Sequence, residues 1–174
     1  MTLLSTGYHA ENRIFVTGVS GSGKTTFAKQ YSNRSGLEYF SFDAVFHYDK
    51  LTQDEDRAVL QKLPERFITD AIPFGIRKGG YSIEPFLQYC EDKGSVLIIC
   101  LCCTDRKAHK ERLASKHYKS IVQGFADFYW FYLSGLERFE GLNIVYYDSF
   151  SNEYVEKEEL LRRIEWIKPL SEFI

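Results

Sequence analysis

The sequence predicts an α/β protein, a parallel sheet covered by helices on both faces. Three observations predict it. Short β-branched or aromatic runs alternate with helix-compatible stretches along the chain. The run Ser95-Val96-Leu97-Ile98-Ile99-Cys100-Leu101-Cys102-Cys103 is apolar on both faces, as a central parallel strand must be. Between the first such run and the first helix-compatible stretch lies a glycine-rich loop, Gly18-Val19-Ser20-Gly21-Ser22-Gly23-Lys24-Thr25.

The elements follow in order. Arg13-Ile14-Phe15-Val16-Thr17 reads as a buried first strand. The loop after it fits G-x-x-x-x-G-K-[ST] at every fixed position. Glycines let the backbone curl so that successive N–H groups point at an anion. The helix beginning at the loop's end adds the positive end of its dipole. The expected nucleotide contacts are Gly18, Ser20, Gly21, Ser22, Gly23, Lys24, Thr25 and Thr26. Lys24 would reach the outer phosphates and the Thr25 hydroxyl would ligate Mg²⁺. A loop of this pattern in strand–loop–helix order marks a nucleotide-binding chain.

The helix from Thr26 has a stop at Gly36. Glu38-Tyr39-Phe40-Ser41-Phe42 reads as a second strand, ending at Asp43. Thr52-Gln53-Asp54-Glu55 is a capping box for a helix carrying Ala58, Val59, Leu60 and Leu63, which stops near Pro64. Arg66-Phe67-Ile68-Thr69 is a third strand that delivers Asp70 at its end. Residues 71–81 read as a loop and 82–93 as a helix ending at Gly94. After the apolar strand, Thr104 is expected to cap a basic helix to about His117, and a second helix covers roughly 121–140. Leu142-Asn143-Ile144-Val145-Tyr146-Tyr147 is the fifth strand, and Ser151 starts a last helix carrying Val155, Leu160, Leu161, Ile164 and Ile167. Ligands of such sheets sit beyond the carboxyl ends of the strands. The glycine loop, Asp43, Asp70, the Thr104 region and Asp148 fall there and are expected to line one cleft.

Composition narrows the classes. The 174 residues suit a single domain spanning 1–174, with 44% hydrophobic and 26% charged residues. A net charge of -2 gives no general attraction to nucleic acid or an anionic membrane. Cys90, Cys100, Cys102 and Cys103 form no C-x-x-C pair and read as buried thiols of a reduced, cytoplasmic protein. Residues 1–12 lack the features of a signal peptide, and no apolar run approaches a bilayer span. The N-K-x-D and D-x-x-G patterns of a GTPase are absent. Among the abundant aromatics, Phe125, Phe128, Tyr132, Leu136 and Phe139 recur at helical spacing and form a core stripe. That spacing sends Tyr129, Trp130 and Phe131 elsewhere: to core or interface packing, with a homodimer through 125–133 as one form of it, to an acceptor ring, or to a membrane surface. His47 and His109 read as surface or hydrogen-bonded core residues.

In the order and spacing of its elements the chain resembles the small P-loop kinases, the group of adenylate, shikimate and gluconate kinases. The resemblance spans essentially the whole chain, with only the phosphate loop highly specific. It implies a three-layer α/β/α fold with a five-stranded parallel sheet in the order 2-3-1-4-5. Phe42-Asp43-Ala44-Val45-Phe46-His47 is similar to the strand end where several metabolite kinases hold the acceptor hydroxyl, which implies that role for Asp43. Phe67-Ile68-Thr69-Asp70-Ala71-Ile72-Pro73 looks like the D-G-F-P-R stretch of adenylate kinases, which implies a place for Asp70 near the Mg²⁺ shell. Ala71 stands where that stretch has Gly, and Phe74 where it has an acceptor-gripping Arg, which argues against a nucleoside-monophosphate acceptor. Glu111-Arg112-Leu113-Ala114-Ser115-Lys116 looks like a basic lid segment, which implies that 104–120 closes over the donor with Arg112 as its cation.

The reading that results is ATP- and Mg²⁺-dependent phosphoryl transfer to a hydroxyl of a small-molecule acceptor. Its catalytic residues are Lys24, Asp43 and Arg112, its metal residues Thr25 and Asp70, and its acceptor-side residues Asp43, Arg66 and Arg77. Two alternatives stay open: a nucleotide or polynucleotide 5′-hydroxyl kinase, and a nucleotide-dependent switch that presents Tyr129–Phe131 to a partner.

Overall fold

The computed structural model describes residues 11–41, 53–70, 84–116 and 121–167. Its strands are β1 (Arg13–Thr17), β2 (Tyr39–Phe40), β3 (Phe67–Asp70), β4 (Val96–Cys102), β5 (Ile144–Asp148) and β6 (Glu153–Val155). Its helices are α1 (Lys24–Ser35), α2 (Gln53–Gln61), α3 (Glu84–Lys93), α4 (Arg106–Ser115), α5 (Ile121–Phe128) and α6 (Lys157–Arg163). The strands form one sheet in the order β2-β3-β1-β4-β5-β6. β1 and β2 both run parallel to β3, with Ile14 and Tyr39 each opposite Ile68. The first five strands therefore stand in the expected order, and the sheet has one strand more than expected.

That sixth strand corrects the expected last helix. Glu153–Val155 pairs antiparallel with β5, placing Val155 opposite Tyr146 and Glu153 opposite Asp148. The turn between them has a local cause. Asp148 Oδ1 accepts the backbone N–H of Phe150 at 2.9 Å, as an aspartate opening a turn does. Asn152 then takes the left-handed conformation, φ 57°, that asparagine tolerates better than most residues. The chain reverses, and α6 begins only at Lys157.

Two further expectations change. Asp105, not Thr104, caps α4: its Oδ2 accepts from the Ala108 amide at 2.9 Å. The stretch read as one helix over 121–140 is α-helical only to Phe128, then forms a wide π turn over Tyr129–Ser134 and a 3₁₀ turn over Leu136–Phe139. The wide turn changes which side chains face inward. Phe125, Phe128, Tyr132, Leu136 and Phe139 are buried as expected, but Phe131 is buried with them. Its ring packs edge-on to Tyr132 at 4.8 Å and against Phe139 at 5.7 Å. Of Tyr129, Trp130 and Phe131, Phe131 thus takes the core reading.

The chain folds as two compact units: Met1–Thr17 with Thr25–Ile98, and Gly18–Lys24 with Ile99–Ile174. In the first, Phe15 is fully buried, with the rings of Phe67, Phe86 and Tyr89 edge-on at 5.3, 5.0 and 6.0 Å. Burying a side chain of this size contributes about 2–3 kcal/mol. In the second, Phe128 packs against Tyr132 and Trp166 at 4.7 and 5.3 Å. Cys100, Cys102 and Cys103 are buried free thiols and Cys90 is half-buried. Burial pushes the Cys90 thiol up to about 12 and the strand thiols up as well, so these cysteines act as small apolar side chains. Among the described residues no helix is long and apolar enough to cross a membrane.

Candidate functional site

The glycine loop belongs to the second unit. Gly18 has φ 147°, and a Cβ there would stand 2.6 Å from both Leu101 O and Ser22 Oγ, so no other residue fits. The loop closes on itself where the Ser22 amide donates to Val19 O at 3.1 Å. Lys24, the first residue of α1, turns back over the loop and donates from Nζ to Gly18 O at 2.6 Å. Its charge therefore lies across the loop's own backbone, beside the helix N-terminus. Ser20 is half-buried in the loop, and Thr26 is exposed in the first turn of α1.

Arg112 on α4 is tied to this loop through a residue that sequence reasoning missed. Arg112 Nη1 donates to Ser149 Oγ at 2.9 Å, and Nη2 donates to Ser149 O at 3.3 Å. Ser149 Oγ in turn donates to Ser22 O at 2.6 Å. The available signal for Ser149 was its place directly after a strand's carboxyl end. Over Arg106–Lys116, the expected lid segment is a packed helix and its cap, with His109 and Leu113 fully buried. Residues 117–120, with the rest of that expectation, lie outside the described residues.

His109 corrects another expectation. It is fully buried, yet among the described residues neither Nδ1 nor Nε2 has a hydrogen-bond partner. The rings of Phe125 and Phe128 lie 5.9 and 4.9 Å away, and a Cβ on Gly21 would be 3.3 Å from His109 Cε1. Burial, reinforced by the charges of Arg112 and Lys116, lowers its pKa to about 4. A neutral imidazole thus packs beneath the loop as an apolar block.

Asp148 sits at the end of β5 as expected, but it does not face a ligand. It is 1% exposed, and Oδ2 accepts from Thr104 Oγ1 at 2.6 Å and Arg163 Nη1 at 2.9 Å. Burial alone would raise its pKa; the bonds from Thr104, Phe150, Arg163 and Ser151 outweigh this and lower it. Asp148 therefore clamps α6 and the β5–β6 turn to the end of β4.

The first unit holds the aspartate expected near a metal. Thr25 Oγ1 donates to Asp70 Oδ2 at 2.5 Å, and Tyr39 Oη donates to the same oxygen at 2.8 Å. Asp70 Oδ1 is buried with no partner among the described residues. Tyr39 was legible only as a strand residue; the parallel register of β2 on β3 is what carries it to Asp70. Burial and the Asp70 carboxylate push the Tyr39 phenol up to about 12, so it donates at any physiological pH. A hydroxyl beside a carboxylate with an uncommitted oxygen is a donor set for a hard cation such as Mg²⁺. Among the described residues no three His, Cys, Asp or Glu side chains form a metal cluster, so the remaining ligands would be water and phosphate oxygens. Arg66 is exposed just before β3, while Asp43, His47 and Arg77 lie outside the described residues.

The strand order, the glycine loop between β1 and α1, and the aspartate closing β3 define a P-loop kinase-like α/β fold. Solved structures share it. A gluconokinase from Sinorhizobium meliloti 1021 is similar over 95% of this chain and 94% of its own, at 18% identity and a TM-score of 0.53. Shikimate kinase from Acinetobacter baumannii, in complex with shikimate, is similar over 94% of this chain and 97% of its own, at 13% identity and a TM-score of 0.55. The YorR protein of Bacillus subtilis, in complex with phosphorylated GDP, is similar over 87% and 95%, at 14% identity and a TM-score of 0.59. At such identities the likeness is one of fold. No protein-family model matches the chain, and no curated protein matches it in sequence.

Proposed function

We propose that this chain is a kinase that transfers the γ-phosphoryl group of ATP, with Mg²⁺, to a hydroxyl of a small metabolite. The observation that carries the proposal is the Thr25–Asp70 pair, with its orphaned Oδ1, at the foot of a helix whose first residue is the loop lysine. Phosphoryl transfer asks a protein mainly to position the groups and neutralise charge. The loop and the N-terminus of α1 would cradle the phosphates, and Lys24 would exchange Gly18 O for an outer phosphate oxygen. When bound, Mg²⁺ would offset the charge that develops on the transferred phosphoryl group. Thr25 and Asp70 would hold it, with Tyr39 fixing which carboxylate oxygen is left for it. Arg112, held against the loop by Ser149, adds a cation beside Gly23, where a Cβ would lie 3.5 Å from its Nη1.

On the acceptor side Asp43 is assigned from the sequence. It would orient the attacking hydroxyl and take its proton as the new O–P bond forms and the bond to the ADP oxygen breaks. Arg66 and Arg77 are the cations nearest in sequence to that function. The acidic surplus of Asp49, Asp54, Glu55, Asp56 and Glu65 over Lys50, Arg57 and Lys62 favours an uncharged acceptor. The test is ADP release from MgATP with and without a panel of small hydroxyl compounds. Release that depends on one acceptor class supports the kinase. Slow release that only a protein partner accelerates supports a nucleotide switch instead, and release stimulated by a nucleoside or an oligonucleotide 5′-hydroxyl moves the acceptor to that class.

A further inference from the structure

We infer that Tyr132 is a positioning residue for the phosphate loop, held in place by the π turn in which it sits. The inference rests on the loop being a phosphate site, as proposed above. Tyr132 is 1% exposed. Oη donates to Leu101 O of β4. A Cβ on Gly18 would lie 3.1 Å from the same oxygen. One phenol therefore stands between the carboxyl end of β4 and the first residue of the loop.

Helical spacing already carries Tyr132 inward with Phe125 and Phe128, and the wide turn brings Phe131 in beside it. In a regular α-helix, consecutive side chains point about 100° apart, so Phe131 and Tyr132 would diverge. In the π turn over Tyr129–Ser134 both face inward, Phe131 into the aromatic core and Tyr132 toward the loop. Gly135 permits this geometry: a Cβ there would come within 2.9 Å of Trp130 O and 3.1 Å of Phe131 O. Single wide turns of this kind are frequent where a helix serves a functional site. A loop that binds phosphate through backbone groups depends on their being set before the ligand arrives. Here the hydroxyl sets the loop's entry and Ser149 its far side.

The test uses Tyr132→Phe, which keeps the ring and deletes the oxygen. In the ligand-free protein, amide hydrogen exchange over residues 18–23 should accelerate relative to the parent. ATP affinity should fall by about three- to tenfold, the scale of one lost hydrogen bond. Gly135→Ala crowds the π turn without touching the loop and should reproduce both changes. It also carries the test if Tyr132→Phe does not fold. A lowered Tm with unchanged loop exchange and unchanged ATP affinity would make Tyr132 a core residue only and overturn the inference. If the parent itself binds no ATP, the nucleotide reading fails, and the exchange arm still decides whether Tyr132 sets the loop.

Discussion

Thr25 donates its hydroxyl hydrogen to Asp70 Oδ2 at 2.5 Å, and the other carboxylate oxygen is left buried without a partner among the described residues. An unpartnered buried acceptor costs free energy unless something outside the protein completes it. If that is Mg²⁺, Asp70→Asn should raise the Mg²⁺ concentration needed for half-maximal rate, and excess metal should restore part of the loss. It should also weaken Mn²⁺ binding to the protein–nucleotide complex, read by electron paramagnetic resonance. Parental Mn²⁺ affinity and Mg²⁺ dependence in the variant would assign Asp70 a structural role.

Lys24 donates from its ammonium to the loop's own Gly18 carbonyl. Lys24→Ala should lower phosphoryl transfer by about 10²–10³-fold, as expected for losing one charge-stabilising donor. Its circular dichroism and Tm should stay near the parent's. Turnover within a few-fold of the parent, in a folded variant, would remove Lys24 from the mechanism.

His109 makes stability pH-dependent in a defined window. Its folded pKa of about 4 lies below the ordinary 6.5, so between those values the unfolded chain binds the proton and the folded chain does not. Stability should therefore be level with respect to this group above about pH 6.5 and fall as pH drops towards 4, by up to about 3 kcal/mol. Urea midpoints of the parent and of His109→Leu, compared at pH 7.5 and 5, read the difference directly, since the carboxylates contribute to both. A parent that loses no more stability than His109→Leu over that interval would mean the imidazole is reached by water or partnered.

Asp148 gives the opposite assignment from the one its strand-end position suggests. Its carboxylate is held below the ordinary range, so the stability it contributes is present above that range and is lost as pH falls through the folded value. Asp148→Asn weakens the bonds from Thr104, Phe150 and Arg163, which keeps Glu153 and Glu159, and should cost about 1–2 kcal/mol. ATP affinity of the folded variant should stay at the parental value. A large loss of affinity without a loss of stability would return Asp148 to the ligand side.

The sequence alone determined two features whose cause and effect lie within a few residues. The apolar run 95–103 becomes β4, buried from Val96 to Cys102. The Gly18–Thr25 spacing becomes a loop with a lysine at the head of α1, because glycine spacing acts on the backbone locally. The motif and the end of the third strand named Thr25 and Asp70 separately, but their hydrogen bond to each other was not legible. Tertiary structure alone decided the rest. Asn152 and Glu153 read as the start of a helix until β5 offers an antiparallel partner, and backbone pairing then outweighs local propensity. Phe131 turns inward only because Gly135 and the surrounding aromatics accept a wide turn. Tyr39, Ser149 and Tyr132 carry no motif. Each acts through one hydroxyl whose partner lies 31, 127 or 31 residues away in the chain, and no local pattern encodes a bond across that separation.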